Sequence, residues 1–450
     1  MKKPLYKGLL LLALTFFAAS SVLAQRDADY DPYAPILKYP NAQELNQIEK
    51  REREIFFARL LEQPFRPVGN ALGGTAEWVE RTHLEDKLTW LFTELHSHGI
   101  YPGKRTPSEG GLGVIGPGMR IQLDKLFKME QPYATVNIFG GWAPNKGFEG
   151  STVDFGSDYK LEAPTTPFYH KGLFRYERSS AESFYGIGQD TSLGEHSSYQ
   201  PEETWLEGSL GYNLTDATEM IGSLVYQRMN IGNGNRERIG KIKEHFPTGI
   251  PGIEGGDLIG LTSKWLHDSR DHKTDPKKGG YQSVEFSYFK DTDGSDFQYL
   301  KMAGSAAYFI PIFSDRRILA LRLTTEKYQE LGGDQIPFYN MARLGGSSIS
   351  HGSELLRSYA YNRYFDESLI IANIEYRYSI YEYGNFATDA LALFDIGEIF
   401  EEIHDFGLDE LKFSYGGGFN LKYRRRTILS FVLARGNEGW AASTHTHASF

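Results

Sequence analysis

Few places in the 450 residues put side chains of the right type at the spacing that chemistry needs. His445 and His447 share one face of an extended segment, and His96 and His98 repeat that spacing. Each pair resembles two metal ligands, but neither has a third donor at an identifiable distance along the chain, so no metal centre is expected. The serine-rich stretch 345–353 contains no G-x-S-x-G and reads as loop rather than nucleophile elbow. Gly186-Ile187-Gly188 follows Phe184-Tyr185 without a phosphate-loop setting. Neither an enzyme nor a cofactor is expected. What remains is electrostatic: the carboxylates Glu375 and Asp395, and Arg357.

The elements that carry those carboxylates are legible from period-two patterning. Over 369–380 the even positions Ile370, Ala372, Ile374, Tyr376, Tyr378 and Ile380 are apolar, whereas Asn373, Glu375, Arg377 and Ser379 are polar. Ala390, Ala392, Phe394 and Ile396 put Asp395 on the polar side of the next strand. With a turn centred near Tyr383, Asp395 would lie four residues further along than Glu375, or ~13 Å at ~3.3 Å per residue. A narrow lumen lined by acids needs positive charge. Arg357, on the 328–368 connection, can supply it through a planar guanidinium that grips a carboxylate with two parallel hydrogen bonds. From the alternation alone, Arg357 reads more readily as a solvated loop charge.

The same alternation recurs: Val284, Phe286 and Tyr288 oppose Ser283, Glu285 and Ser287, and Leu319, Leu321 and Leu323 oppose Arg322, Thr324 and Glu326. One such strand fits a soluble sandwich with its apolar face inward as well as a membrane barrel with that face outward. Layout favours the barrel. Sixteen candidate segments run from 98 to 450, and an even count suits a bacterial barrel. The three longest connections, 181–199, 231–256 and 328–368, all follow odd-numbered strands, whereas 215–216, 312–315 and 381–385 are short and follow even ones. Long loops at one end and tight turns at the other are the outer-membrane pattern. The expected fold is therefore all-β: a 16-stranded antiparallel transmembrane β-barrel over 98–450, with a short helical N-terminal segment.

The N-terminus reads as export. Lys2 and Lys3 precede an apolar run from Leu9 to Ala19, and Val22 and Ala24 supply the small residues for cleavage after Ala24. Residues 1–24 are thus expected to be a signal peptide and 25–97 a periplasmic leader. The leader has helical stripes at Leu45, Ile48, Ile55, Phe56 and Leu60 and again from Leu84 to Leu95. The chain has no cysteine, so neither disulfides nor a lipid-bearing cysteine enter the reading. A net charge of −10 argues against a nucleic-acid partner.

Several motifs, in order, resemble the bacterial surface antigen family, the BamA/TamA superfamily of sixteen-stranded outer-membrane barrels. Asp268-Ser269-Arg270-Asp271, then Pro276 and Gly279-Gly280-Tyr281, resembles the turn into the ninth strand. Leu356-Arg357-Ser358-Tyr359 resembles the tip of the long sixth extracellular loop, with Ser358 where the family usually has Gly. Phe394-Asp395-Ile396-Gly397 resembles the F-x-D-x-G of the thirteenth strand, and the chain ends on Phe450. The resemblance covers 257–450 well and 98–256 by layout. It implies that the loop is held inside the barrel, with Arg357 paired to Asp395 and Glu375 nearby, and that Phe450 is read by the barrel-insertion machinery. The last strand puts Trp440, Ala442, Thr444, Thr446, Ala448 and Phe450 on one thin face, which fits the family's weak closing seam. Ser358 need not reach a conformation open to Gly, so the loop tip is expected to differ.

Family members insert barrels, secrete substrates or move material between envelope layers, and recruit clients through POTRA domains. None is evident here. The expectation is an accessory in protein translocation or outer-membrane assembly, with a lumen gated by the 328–368 loop. Its expected partners are outer-membrane lipid, lipopolysaccharide and a polypeptide client. The alternative is a structural or surface-interaction barrel without transport.

Overall fold

The computed structural model describes residues 100–104, 117–127, 133–143, 152–163, 165–236, 239–346 and 355–445. The signal segment, the 25–97 leader, His96, His98, His447 and Phe450 lie outside the described residues.

In chain order the strands are β1 (Ile100–Lys104), β2 (Pro117–Gln122), β3 (Tyr133–Ala143), β4 (Thr152–Glu162), β5 (Phe168–Arg178), β6 (Glu182–Phe184), β7 (Ser197–Thr215), β8 (Thr218–Asn233), β9 (Gly240–Lys241) and β10 (Gly255–Asp268). They continue with β11 (Gly279–Asp291), β12 (Gln298–Ile312), β13 (Ser314–Glu330), β14 (Ala342–Leu344), β15 (Tyr364–Asp366), β16 (Ser368–Tyr383), β17 (Phe386–Phe400), β18 (Lys412–Tyr423), β19 (Arg426–Gly436) and β20 (Gly439–His445). Among the described residues the helices are single turns, α1 (Leu123–Leu126) and α2 (Ile242–His245).

One sheet of eighteen strands holds all but β14 and β15. It is a meander: each long strand pairs antiparallel with the next long strand along the chain, as in β5–β7, β8–β10, β13–β16 and β16–β17. The short β6 and β9 join the protruding end of β7. In a meander, successive connections alternate between the two ends. At one end, 216–217, 313, 384–385 and 424–425 are tight, 163–167 is somewhat longer, and 123–132 and 269–278 run to ten residues each. At the other end lie 179–196, 234–254 and 331–367. These will be called the turn end and the loop end.

Burial decides between the two readings of the alternation. On β16, Asn373 and Glu375 are 0% exposed and Ile374 between them is 39% exposed. Ser287 is buried while Phe286 is 56% exposed, and Arg322 is buried between outward leucines. The polar face is therefore interior and the apolar face exterior, the reverse of a water-soluble sandwich and the arrangement of a sheet that meets hydrocarbon. Outward aromatics gather toward the ends. Phe168 and Tyr212, whose rings lie 4.8 Å apart, sit near the turn end with Phe313 and Tyr383. Phe155 against Tyr176, Phe413 against Tyr415, and Trp440 lie toward the loop end.

The main apolar core lies inside, where the long loops meet. Phe184 packs edge-on against Phe246, Phe338 and Phe365, with Ile242, Ile336 and Leu344 fully buried beside them. The Phe365 carbonyl accepts a bond from Gly188 N at 2.7 Å, and Pro251 O accepts one from Phe338 N at 2.9 Å. The three long loops thus form one packed cap rather than three independent excursions.

Candidate functional site

The carboxylates stand on the inward faces of β16 and β17, as expected from the alternation, but their offset differs. Asn373 pairs with Asp395, and Glu375 with Leu393. Asp395 is thus two residues along from Glu375, ~7 Å at the strand rise, and not four. The turn centres on Gly384-Asn385, which alone would cut the offset to one, and a bulge at Ser379/Tyr381 moves the register back by one residue. The smaller offset lets one guanidinium reach both acids.

Arg357 is that guanidinium. Its Nε donates to Asp395 Oδ2 at 2.9 Å and its Nη2 to Oδ1 at 2.5 Å, while Nη1 bonds Glu375 Oε1. The Arg357 backbone N–H also donates to Asp395 Oδ2, at 3.1 Å. All three side chains are fully buried. A second layer saturates the acids. Arg377 Nε donates to Glu375 Oε2 at 2.8 Å, Asn373 Nδ2 to Asp395 Oδ1 at 2.7 Å, and Arg322 Nε and Nη2 to Asn373 Oδ1 at 3.0 and 2.8 Å. A buried ion pair is stable only when such partners offset its desolvation, and this one has them.

The loop tip fits a serine. Ser358 is not among the residues with left-handed φ; Leu356, with φ of 32°, makes the bend instead. The expected obstacle at Ser358 is therefore absent. Its hydroxyl lies 2.6 Å from Ser414 Oγ on β18, and its N–H donates to the same oxygen at 3.0 Å. Gly436 on β19 leaves the room: a Cβ there would collide with Ser358 Oγ and fall 2.5 Å from the Phe413 carbonyl. Tyr359 is buried against Tyr364, ring centroids 6.1 Å apart.

The motif around Asp395 needs one correction. Phe394 is adjacent to Asp395 and points outward, 38% exposed; Leu393 occupies the inward position two residues before the acid. Phe394 therefore belongs to the outer face and not to the site. Gly397 faces inward, where a Cβ would sit 2.7 Å from the Ile370 carbonyl on β16. Trp440 is outward with Ala442 and Thr444, stacked over by Arg435.

Contacts that periodicity could not reveal complete the anchor. Arg363 is buried, donates from Nε to Glu438 Oε1 at 2.7 Å and from Nη2 to the Thr191 carbonyl at 2.6 Å, and lies over the rings of Tyr185 and Tyr364. It ties the loop to both the 179–196 loop and the β19–β20 turn. Between the loop and the wall of β7, β8 and β11–β13 lies a cavity of about 360 Å³, lined by Trp205, Gln227, Tyr299, Tyr328, Tyr339 and Asn340 among others. At the turn end, Asp275 meets Lys422 and Arg425. Burial alone would raise its carboxyl, but the two cations outweigh burial and hold it down to about 2. Among the described residues no group of three or more His, Asp or Glu is placed to hold a metal ion.

A sheet turned inside out, with an arginine of its longest loop bound to carboxylates on its inner wall, defines a class of membrane-facing β proteins built around a polar interior. The chain belongs to the Omp85 superfamily: the Omp85 superfamily domain matches residues 146–425. That match begins well before 257, so the relationship extends beyond the C-terminal motifs into the strands recognised above only by layout. The fold is similar to that of BamA from Haemophilus ducreyi lacking POTRA domains 1-3, at 15% identity over 77% of this chain and 70% of that one, TM-score 0.53. It is also similar to CdiB from Escherichia coli, at 12% identity over 73% of this chain and 58% of that one, TM-score 0.50. At such identities the likeness is one of fold.

Proposed function

We propose that this chain closes into a sixteen-stranded barrel in the bacterial outer membrane and assists the translocation or assembly of proteins, with the 331–367 loop as the gate of its lumen. The sheet without its short β6 and β9 would supply those sixteen strands. The turn end then faces the periplasm and the loop end the exterior, with lipid and lipopolysaccharide around the apolar outer face. Residues 1–24 would direct export and be cleaved off after Ala24, insertion would use the cell's barrel-insertion machinery with Phe450 as a signal, and the client would be a polypeptide. We assign the chain no reaction and no cofactor.

The observation that carries the gate is the Arg357 anchor: an external loop tied inside the wall by a fully buried triad obstructs the lumen until the triad breaks. Conductance of the purified full chain in planar bilayers tests it. Arg357→Ala is expected to raise the open probability above that of the native barrel. A barrel that stays silent in both forms favours the second reading, a surface-interaction barrel without transport. The packed cap of the three long loops, a ready-made external surface, speaks for that reading.

A further inference from the structure

From β7 onward the turn end has one connection that is out of proportion. Its neighbours are turns of one or two residues, yet 269–278 is long and reaches inward. Thr274 Oγ1 donates to the Arg425 carbonyl at 3.0 Å, Arg425 Nη2 donates to the Asp275 carbonyl at 2.8 Å, and Lys422 Nζ donates to Asp275 Oδ1 at 2.5 Å. Arg425 Nη2 also lies 3.4 Å from Asp271 Oδ2, and Lys277 Nζ lies 3.8 Å from Glu382 Oε1. Lys422 is held from its other side by Asp389, which accepts a bond from Ser379 Oγ at 2.7 Å.

These partners are far apart along the sheet. Between the β10–β11 and β18–β19 hairpins stand β12, β13, β16 and β17, so β11 and β18 are ~24 Å apart around the wall at ~4.8 Å per strand. Bonds of ordinary length between their turns must cut across the opening. Asp275, Lys422 and Arg425 are nevertheless nearly buried, as they would be if packed over a mouth.

Two further observations concern what this contact is for. The β18–β19 turn is Arg424-Arg425, with φ of 49° and 57°. Two left-handed residues in a hairpin turn ordinarily select Asn-Gly, because a Cβ strains that backbone. Arginine at 425 thus runs against local preference, and its side chain is what the 269–278 turn bonds to. Behind the contact, on the inward faces of β18 and β19, Asn420 Oδ1, Thr427 Oγ1 and Ser430 Oγ are buried and have no hydrogen-bond partner among the described residues. They are groups that gain when solvent reaches them, so opening here has a favourable contribution to set against the broken bonds.

We propose that the 269–278 turn is a clasp that closes the turn-end mouth of the lumen, a second closure distinct from the Arg357 anchor and held by Asp275, Lys422 and Arg425. It rests on the barrel reading but not on transport. The chain has no cysteine, so a single Ser430→Cys reports access from this mouth without background. In the full-length barrel, this thiol should react slowly with a methanethiosulfonate carrying a quaternary ammonium. Adding Lys422→Ala and Arg425→Ala should speed the reaction roughly tenfold or more, because truncating a buried pair frees its opening. Should that variant fail to fold, replacing 269–278 by a two-residue Asn-Gly turn removes the reach of the clasp and leaves the Lys422–Asp389 pair intact; it should speed labelling equally. Unchanged labelling in a variant that still shows heat-modifiable migration overturns the clasp. A barrel silent in bilayers whose labelling answers to these changes would sink the transport reading and leave the clasp standing.

Discussion

Arg357 illustrates what a single residue can decide. Its three charge-assisted bonds to Asp395 and Glu375 are desolvated, so removing the arginine strips two buried carboxylates of the cation that bridges them. Arg357→Ala should destabilise the folded barrel by ~3–5 kcal/mol, read as a lower temperature for loss of the heat-modifiable band on gels. Arg357→Lys should recover only part of this, since an ammonium cannot span both oxygens of Asp395 in a planar fork. Arg363 is a poor control despite being on the same loop, because it is buried and bridges Glu438 and Thr191. Arg426, exposed at the start of β19, is the better one, and its replacement by Ala should change stability by less than about 0.5 kcal/mol. An equal small effect at 357 and 426 would remove the anchor from the account. The inward placing of Glu375 and Asp395 was legible because period two fixes the face of each residue. Their true offset was not, because the place of the turn at Gly384-Asn385 and the bulge at Ser379/Tyr381 leave no mark in the pattern.

At the scale of elements, strands were legible and loops were not, for a physical reason. A strand in this sheet must alternate to satisfy hydrocarbon on one side and a polar interior on the other, so β16 and β17 show in the sequence within a few residues of 369–380 and 386–398. The cap has no such period: Phe184, Ile242, Ile336 and Phe365 come from three loops and meet only in the fold. The clasp is invisible for the same reason, since Asp275 and Lys422 are 147 residues apart. The cap carries its own pH response. Asp366 on β15 has its carboxyl pushed up to about 6, chiefly by burial, with Glu401 and Glu367 adding to the effect and Lys327 opposing it. A carboxyl with a folded pKa above its unfolded value of ~3.9 is retained in protonated form by the fold. The loop end is therefore most stable relative to its opened form below about pH 4, loses stability as pH rises through 4 to 6, and levels off above that. Hydrogen exchange of the 355–367 amides should show stronger protection at pH 5 than at pH 7 after correction for intrinsic rates. Asp366→Asn should flatten the difference; if it persists unchanged, Asp366 is not its source.

For the whole molecule, the inversion of polarity is the property from which the rest follows, and it yields a test independent of any pore. Leu224 and Leu261 lie near the middles of β8 and β10, point outward, and are 58% and 64% exposed. Leu193, in the 179–196 loop at the loop end, is 52% exposed. To a water-soluble protein these three leucines are equivalent, and replacing any of them by Arg would be nearly neutral or mildly favourable. In a barrel they are not, because two face hydrocarbon and one faces water. Leu224→Arg and Leu261→Arg should each lower folding stability in lipid vesicles by ~2–4 kcal/mol, the cost of a cation at mid-depth on a barrel wall. Leu193→Arg should stay within about 0.5 kcal/mol of the native chain. Folded fractions across a urea series in vesicles measure all three. The contrast between sites matters more than either value, because exposure alone predicts none. If the three substitutions cost the same, the outer face does not meet a membrane, and the polar interior, the anchor and the clasp would all need another explanation.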